Sequence, residues 1–224
     1  MTTYSRENPS PRYQELLSLY KEMHDHGIPD EGKPAEQTFD GRSFPQHASN
    51  IHLIIGVLGS RTLLDYGAGK GKGKQYEKPV KLPDGRELPN LKTFWSVNEI
   101  GCYDPAYGPF STFPTKTFDG VLSTDVMEHC PKEDLPWIIG EIFSLAREFV
   151  YVNVALYPAR KILPNGENAH CTVEAPEWWL ELFNEALEAH PRLRYFVDFR
   201  DGFDAKPKPP RRAKIGDAGE IVYW

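Results

Sequence analysis

Four glycines occupy every second position in LLDYGAGKGKGKQY, residues 63–76: Gly67, Gly69, Gly71 and Gly73. They follow Leu63, Leu64 and the acid Asp65. A short apolar run that ends in an acid and then in glycines reads as a strand feeding a turn that something approaches closely. Glycine adopts positive φ at no steric cost, and the exposed N–H groups of such a turn can hold a carboxylate or phosphate. Two phosphate-binding spacings fail here. GxxxxGK[ST] meets Lys72 or Lys74 where its second glycine belongs, and GxGxxG meets Lys72 at its third. Other groups able to do chemistry come later. Asp104 closes EIGCYD, Asp125 closes FDGVLSTD, and Glu128 and His129 follow at once. LPNGENAHCT carries Asn165, Asn168 and His170, and Tyr157 lies just upstream. Glu128, His129 and His170 are candidate general bases, while Tyr157, Asn168 and His170 could shape a substrate pocket. The plainer roles are helix capping for Glu128 and His129 and a satisfied loop position for His170. His129-Cys130 and His170-Cys171 match no zinc module in spacing, so no metal is expected.

These residues need elements to position them. Tyr13 to His24 has an apolar stripe of helical period, with Leu16, Leu17, Leu19, Tyr20 and Met23. Residues 27–46, with Pro29, Pro34 and Pro45, read as a loop or lid. Gln46 to Leu58 is a second helical stretch, capped by Gly59. Strands are expected at Thr62–Tyr66, Glu99–Asp104, Phe118–Asp125, Phe149–Val154 and Arg194–Phe199, and a last one at Ile221–Trp224. KLPDGREL has an Asp84-Gly85 turn and reads as a hairpin. Amphipathic helices are expected over residues 133–148 and Ala175–His190, with a short helix after the glycines. Strands alternating with helices predict an α/β fold with a mostly parallel sheet, whose carboxyl edge is where ligands bind.

The chain has 224 residues, 40% of them hydrophobic, and a formal net charge of -6. That composition suits one globular domain and offers no argument for a nucleic-acid or anionic-membrane partner. We divide it into an N-terminal helix and lid-like extension (1–45), a core (46–204) and a basic, proline-rich segment with a terminal strand (205–224). The run AKPKPPRRAK, residues 205–214, reads as a solvated tail segment. Three cysteines without a CxxC pair do not form a disulfide framework. No apolar leader opens the sequence and no run reaches the length of a membrane span, so a cytoplasmic protein is expected.

The segment Leu63, Leu64, Asp65, Gly67, Gly69, Gly71 resembles the first motif of class I S-adenosylmethionine-dependent methyltransferases. STDVMEHCP resembles the SxDVLEHVP segment common among members that act on small molecules. With Asp104, three ordered motifs cover roughly residues 45–200. The resemblance implies a Rossmann-like, mostly parallel sheet with flanking helices and S-adenosyl-L-methionine as cofactor. In this family the glycine loop wraps the methionine part of the cofactor, and the acid ending the second core strand accepts both ribose hydroxyls. The cofactor-binding residues it implies are Asp65, Tyr66, Gly67, Gly69, Gly71, Asp104, Pro105, Asp125 and Val126. Methyl transfer is an in-line displacement that needs alignment, and a base only where the nucleophile loses a proton. The chain departs from the family in one place: residues 105–117 are too few for a helix and a third strand, so that region is expected to be shortened. Two rival readings stand. DPAYGPF resembles the [DNS]PP[YF] signature of adenine or cytosine amino-methyltransferases, with Ala106 in place of the second proline and Asp104 and Tyr107 as the catalytic pair. Alternatively, the chain is a non-catalytic cofactor-binding scaffold.

Overall fold

The computed structural model describes residues 3–41, 44–71, 79–82, 84–202, 214–215 and 221–222. Helix α1 (Pro11–His26) starts where the Ser10 side chain accepts from the Tyr13 N–H, and Pro11 brings no N–H that would go unsatisfied. Three short 3-10 turns follow, at Pro29–Glu31, Ala35–Gln37 and Phe44–His47. Helix α2 (Ala48–Leu58) stops at Gly59, whose φ of 75° lets its N–H close back on Ile55 O. Strand β1 (Thr62–Tyr66) comes next. The expected hairpin forms as β2 (Val80–Lys81) and β3 (Glu87–Leu88). A helix not expected from the sequence, α3 (Leu91–Trp95), is capped by the Asn90 side chain. Then follow β4 (Glu99–Tyr103), β5 (Phe118–Thr124), α4 (Leu135–Leu145), β6 (Ala146–Ala155), α5 (Pro176–Ala189) and β7 (Arg194–Arg200). Lys214–Ile215 and Ile221–Val222 pair antiparallel as β8 and β9, apart from the main sheet.

The main sheet has five strands in the order β4-β1-β5-β6-β7, all parallel. The fold is therefore α/β and Rossmann-like. From β1 the chain moves out to β4, then returns to lay β5 against the other side of β1. Such a reversal leaves a crevice beyond the carboxyl ends of the strands. Strand alternation sends side chains to two cores. Leu64, Val121, Val150 and Val152 pack with Ile138, Ile139 and Phe143 of α4 and with Trp179 and Phe183 of α5. Leu63, Leu122, Phe149 and Tyr151 pack with Ile51 and Ile55 of α2 and with Leu91 and Trp95 of α3. A third cluster, including Leu16, Met23, Ile28, Leu163 and Ala169, holds α1 over the carboxyl edge. Each such buried aliphatic contributes roughly 1.5–3 kcal/mol.

Residues 105–117 hold a single 3-10 turn, Gly108–Phe110, so β4 is an edge strand and the third-strand region is indeed shortened. Strand β6 begins at Ala146, not at Phe149, and α4 correspondingly ends at Leu145. Ala146 pairs with Phe118, and that ladder outweighs the helical pattern that runs on through residue 148. The expected strand at 221–224 is described only at Ile221–Val222. Gly73 with the lysines at 72, 74 and 78, and most of the basic run at 205–214, lie outside the described residues.

Candidate active site

Every strand of the sheet sends residues from its carboxyl end to one cavity of about 520 Å³. Strand β1 contributes Gly67, Ala68 and Gly69; β4 leads to Asp104, Pro105 and Ala106; β5 leads to Thr124, Asp125 and Val126. Tyr157 and Lys161 follow β6, and Arg200 closes β7. Tyr13, Leu16, Tyr20 and His24 of α1, with Phe39 and Asp40 beyond it, form the roof.

The glycine turn is shaped first by the protein itself. Gly67, Gly69 and Gly71 have φ of 79°, 59° and 63°. A Cβ on Gly67 would lie 2.3 Å from the Val126 side chain, on Gly69 2.6 Å from the Phe39 carbonyl oxygen, and on Gly71 2.2 Å from the Phe110 ring. Three segments of the chain thus need the space that side chains would fill. The backbone donors are spent as well. Gly67 and Ala68 donate to Tyr103 O (2.8 and 3.0 Å), Lys70 to Phe39 O (3.1 Å) and Gly71 to Ala68 O (2.8 Å). Gly69 N–H donates to Asp104 Oδ2 at 2.7 Å. The expectation of a turn with exposed N–H groups for an anion is corrected for residues 67–71: acceptors at the end of β4, in the lid and in the turn itself take all five donors.

Asp104 accepts from Ala106 N–H at 2.9 Å through its other oxygen. Burial raises its pKa to about 6, against the lowering effect of these backbone donors. A carboxylate oxygen has two lone pairs, so acceptor capacity remains toward the cavity that Asp104 lines. Asp125 has φ 55°, a left-handed conformation that costs a non-glycine residue roughly 1–2 kcal/mol and that clusters at functional sites. It joins β5 to the 3-10 turn Met127–His129.

Of the expected cofactor residues, Gly67, Gly69, Asp104, Pro105, Asp125 and Val126 line the cavity. Asp65, Tyr66 and Gly71 do not. Asp65 is buried in the sheet, where burial and then the Asp65 charge raise the pKa of the neighbouring Cys102, and Tyr66 donates to Glu141 Oε2 at 2.9 Å. Gly71 is covered by the Phe110 ring.

The candidate bases separate in the same way. Glu128 is fully buried outside the cavity lining and accepts from Ala155 N–H at 2.9 Å. Burial and Asp125 push its pKa up to about 8, so it is an uncharged tie between the turn and β6, not a base facing substrate. Asn168, expected as a substrate contact, is not among the lining residues: it bridges Ala159 N and O (2.9 and 2.8 Å) and accepts from His170 N (3.0 Å), shaping the loop that carries His170. His129 and His170 both line the cavity, as does Tyr157. Their ring centroids lie 4.8 Å apart, nearly perpendicular at 81°. His129 Nδ1 is 2.8 Å from Ala169 O, and His170 Nδ1 is 2.6 Å from Tyr157 O. The Tyr20 hydroxyl also lies 2.8 Å from His129 Nδ1 and itself donates to Ala169 O at 3.1 Å. A carbonyl only accepts, so each Nδ1 carries the proton and each Nε2 keeps its lone pair. Burial lowers both pKa values, that of His129 to about 4, so both rings are neutral bases at pH 7.

The chain matches no family model, and no curated protein is significantly similar to it. Among the described residues no cluster of three or more His, Cys, Asp or Glu is arranged to hold a metal, and no helix is long and apolar enough to cross a membrane. Sequence reasoning missed His24, Phe39 and Lys161. His24 could have been found, because it extends the helical stripe of Tyr13, Leu16, Leu17 and Tyr20. Lys161 follows a core strand at its carboxyl end, which is also a readable position. Phe39 had no signal, since its place over Gly69 is a long-range contact. Lys70 does not face the cavity centre as an anion-binding lysine would. Its Nζ donates to His24 O at 2.9 Å and stands 4.7 Å from the Tyr107 ring centroid.

Proposed function

We propose that this chain is an S-adenosylmethionine-dependent methyltransferase acting on a small molecule. The observation that supports it most is the convergence of the glycine turn, Asp104 and Asp125 on one cavity at the strand-order reversal. The residues present fit the cofactor at several points. Asp104 has lone pairs left for a vicinal diol, as a ribose requires. Pro105 and Ala106 beside it are apolar neighbours for a base, and the carboxylates of Asp104 and Asp125 suit a cationic sulfonium. With the donors of residues 67–71 spent, other groups would have to hold the amino-acid end of the cofactor. The cofactor would supply an electrophilic methyl group.

The protein supplies the rest. The roof of α1 and Phe39 would shield the reacting atoms from water, and the cavity walls would align the acceptor. Nε2 of His170 or His129 takes the proton where the attacking atom carries one. The roof also supports a small acceptor over a base in nucleic acid. Tyr107, which the amino-methyltransferase reading needs as a catalytic group, is absent from the cavity lining and packs on His24 and Phe110. Calorimetric titration of S-adenosylhomocysteine tests the proposal, with Asp104→Ala as control. Saturable one-site binding, lost in the variant, is expected; no binding to the wild-type protein would overturn it.

A further inference from the structure

The cations that line the cavity gather at one end of the sheet, while its acids are spread: Asp125 follows β5 and Asp40 sits in the roof beside Phe39. Asp104 stands at the β4 end. The cations stand at the other end: Arg160 and Lys161 follow β6, Arg200 closes β7, and Lys33 hangs from the roof. Neighbouring strands lie about 4.8 Å apart, so β4 and β6, three steps apart, are separated by roughly 14 Å. His129 and His170 sit with Asp125 between the two ends, and both rings are neutral.

We propose that the β6–β7 end of this cavity is an oxyanion subsite, which takes a carboxylate or phosphate carried by the methyl acceptor. The proposal names the substrate class of the methyltransferase read above and rests on that reading for the identity of the acceptor. Lys161 is the central group. Its ammonium stands 4.0 Å from the centroid of the Phe39 ring, and among the described residues no carboxylate forms an ion pair with it. Burial and the like charge of Lys33 both disfavour its protonated form, lowering its pKa to about 8. Glu31, Asp125 and Asp40 act the other way, and their pull is weaker than the combined burial and repulsion. With cations gathered here and no ion-paired carboxylate at Lys161 among the described residues, an incoming oxyanion would satisfy its charge. Phe39 also joins the two ends. Its carbonyl oxygen accepts from Lys70 N–H in the glycine turn, while its ring carries Lys161.

The test uses the full chain saturated with S-adenosylhomocysteine and follows thermal unfolding while inorganic phosphate or acetate is titrated against chloride at constant ionic strength. A saturable rise in Tm with one of the two oxyanions is expected, and which one acts tells a phosphate-bearing from a carboxylate-bearing acceptor. Lys161→Met should weaken that oxyanion at least tenfold, Lys161→Arg should restore it, and S-adenosylhomocysteine affinity should stay within twofold in both. No effect beyond chloride would overturn the subsite. So would an effect that Lys161→Met and Arg160→Met leave unchanged, or one in which the oxyanion competes with S-adenosylhomocysteine. If S-adenosylhomocysteine fails to bind while oxyanion binding persists and needs Lys161, the cofactor reading falls and the subsite stands.

Discussion

Asp104 serves the fold and the cavity with the same two oxygens. It anchors Gly69 and Ala106, and under the proposed function it also accepts from the cofactor. Its carboxyl, raised to about 6, gains a proton as pH falls through that value. The carboxylate is the better acceptor, so S-adenosylhomocysteine affinity should fall roughly fourfold between pH 7.5 and 5.5 by proton linkage. Calorimetry on Asp104→Asn should give a weaker but flat profile; a wild-type profile that is equally flat would count against this role. For folding the sign reverses: an acid whose pKa is raised loses stability as pH climbs from about 4 to 6. His129, lowered to about 4, gains stability as pH climbs from there toward 6.5. Gly69 makes a different demand. Gly69→Ala combines a left-handed φ with a Cβ against the Phe39 carbonyl oxygen, so a loss of at least ~1–2 kcal/mol is expected. At about 2–4 °C per kcal/mol for a chain of this size, calorimetry should show Tm fall by roughly 2–8 °C. His170→Gln should lower kcat about 100-fold or more for an acceptor that loses a proton, with cofactor affinity unchanged. An equal loss in both quantities would make His170 a structural residue.

At the scale of elements, the roof depends on how α1 is fastened. Ser10 donates its N–H to Asp134 Oδ1 at 3.0 Å and its hydroxyl to Oδ2 at 2.5 Å, while the Trp137 indole donates to Oδ1 at 2.9 Å. The Arg6 guanidinium lies 3.2 Å from the Phe113 ring centroid and pairs with Glu141 of α4. Ser10→Ala removes the cap of α1 and strips Asp134 of a buried donor, which should cost about 1–2 kcal/mol. Because α1 covers the cavity, the same change should speed S-adenosylhomocysteine release in stopped-flow dissociation. An unchanged release rate with a lowered Tm would mean that α1 stabilises the fold without gating the site. The helix itself was legible, since its stripe repeats every three or four residues. Asp134, far along the chain, was not. The boundary between α4 and β6 was misread for a related reason: Ala146 and Arg147 suit a helix locally, and pairing with β5 decides otherwise.

At the scale of the whole molecule, ligand binding and folding are linked. S-adenosylhomocysteine at 100 times its dissociation constant should stabilise the chain by about 2.7 kcal/mol, which differential scanning calorimetry would read as a Tm rise of roughly 5–10 °C. Dissociation of the folded cavity from this ligand, seen as no rise at all, would remove the link. Local residue pattern was enough to read β1, β4, β5, β6 and β7 as strands, to separate most of them by helices, and to put Gly67, Asp104 and Asp125 at strand ends. Those facts follow from residue periodicity and turn chemistry, which act over a few neighbours. The packed fold was needed to show that Val126, Phe39 and Phe110 fill the space over the three glycines. It also left Asp65, Tyr66, Glu128 and Asn168 out of the cavity lining, and gathered Lys33, Arg160, Lys161 and Arg200 at one end of it. Such contacts join residues far apart in the chain, and their partners are chosen by packing and burial across the sheet, which leave no mark in any short stretch of sequence.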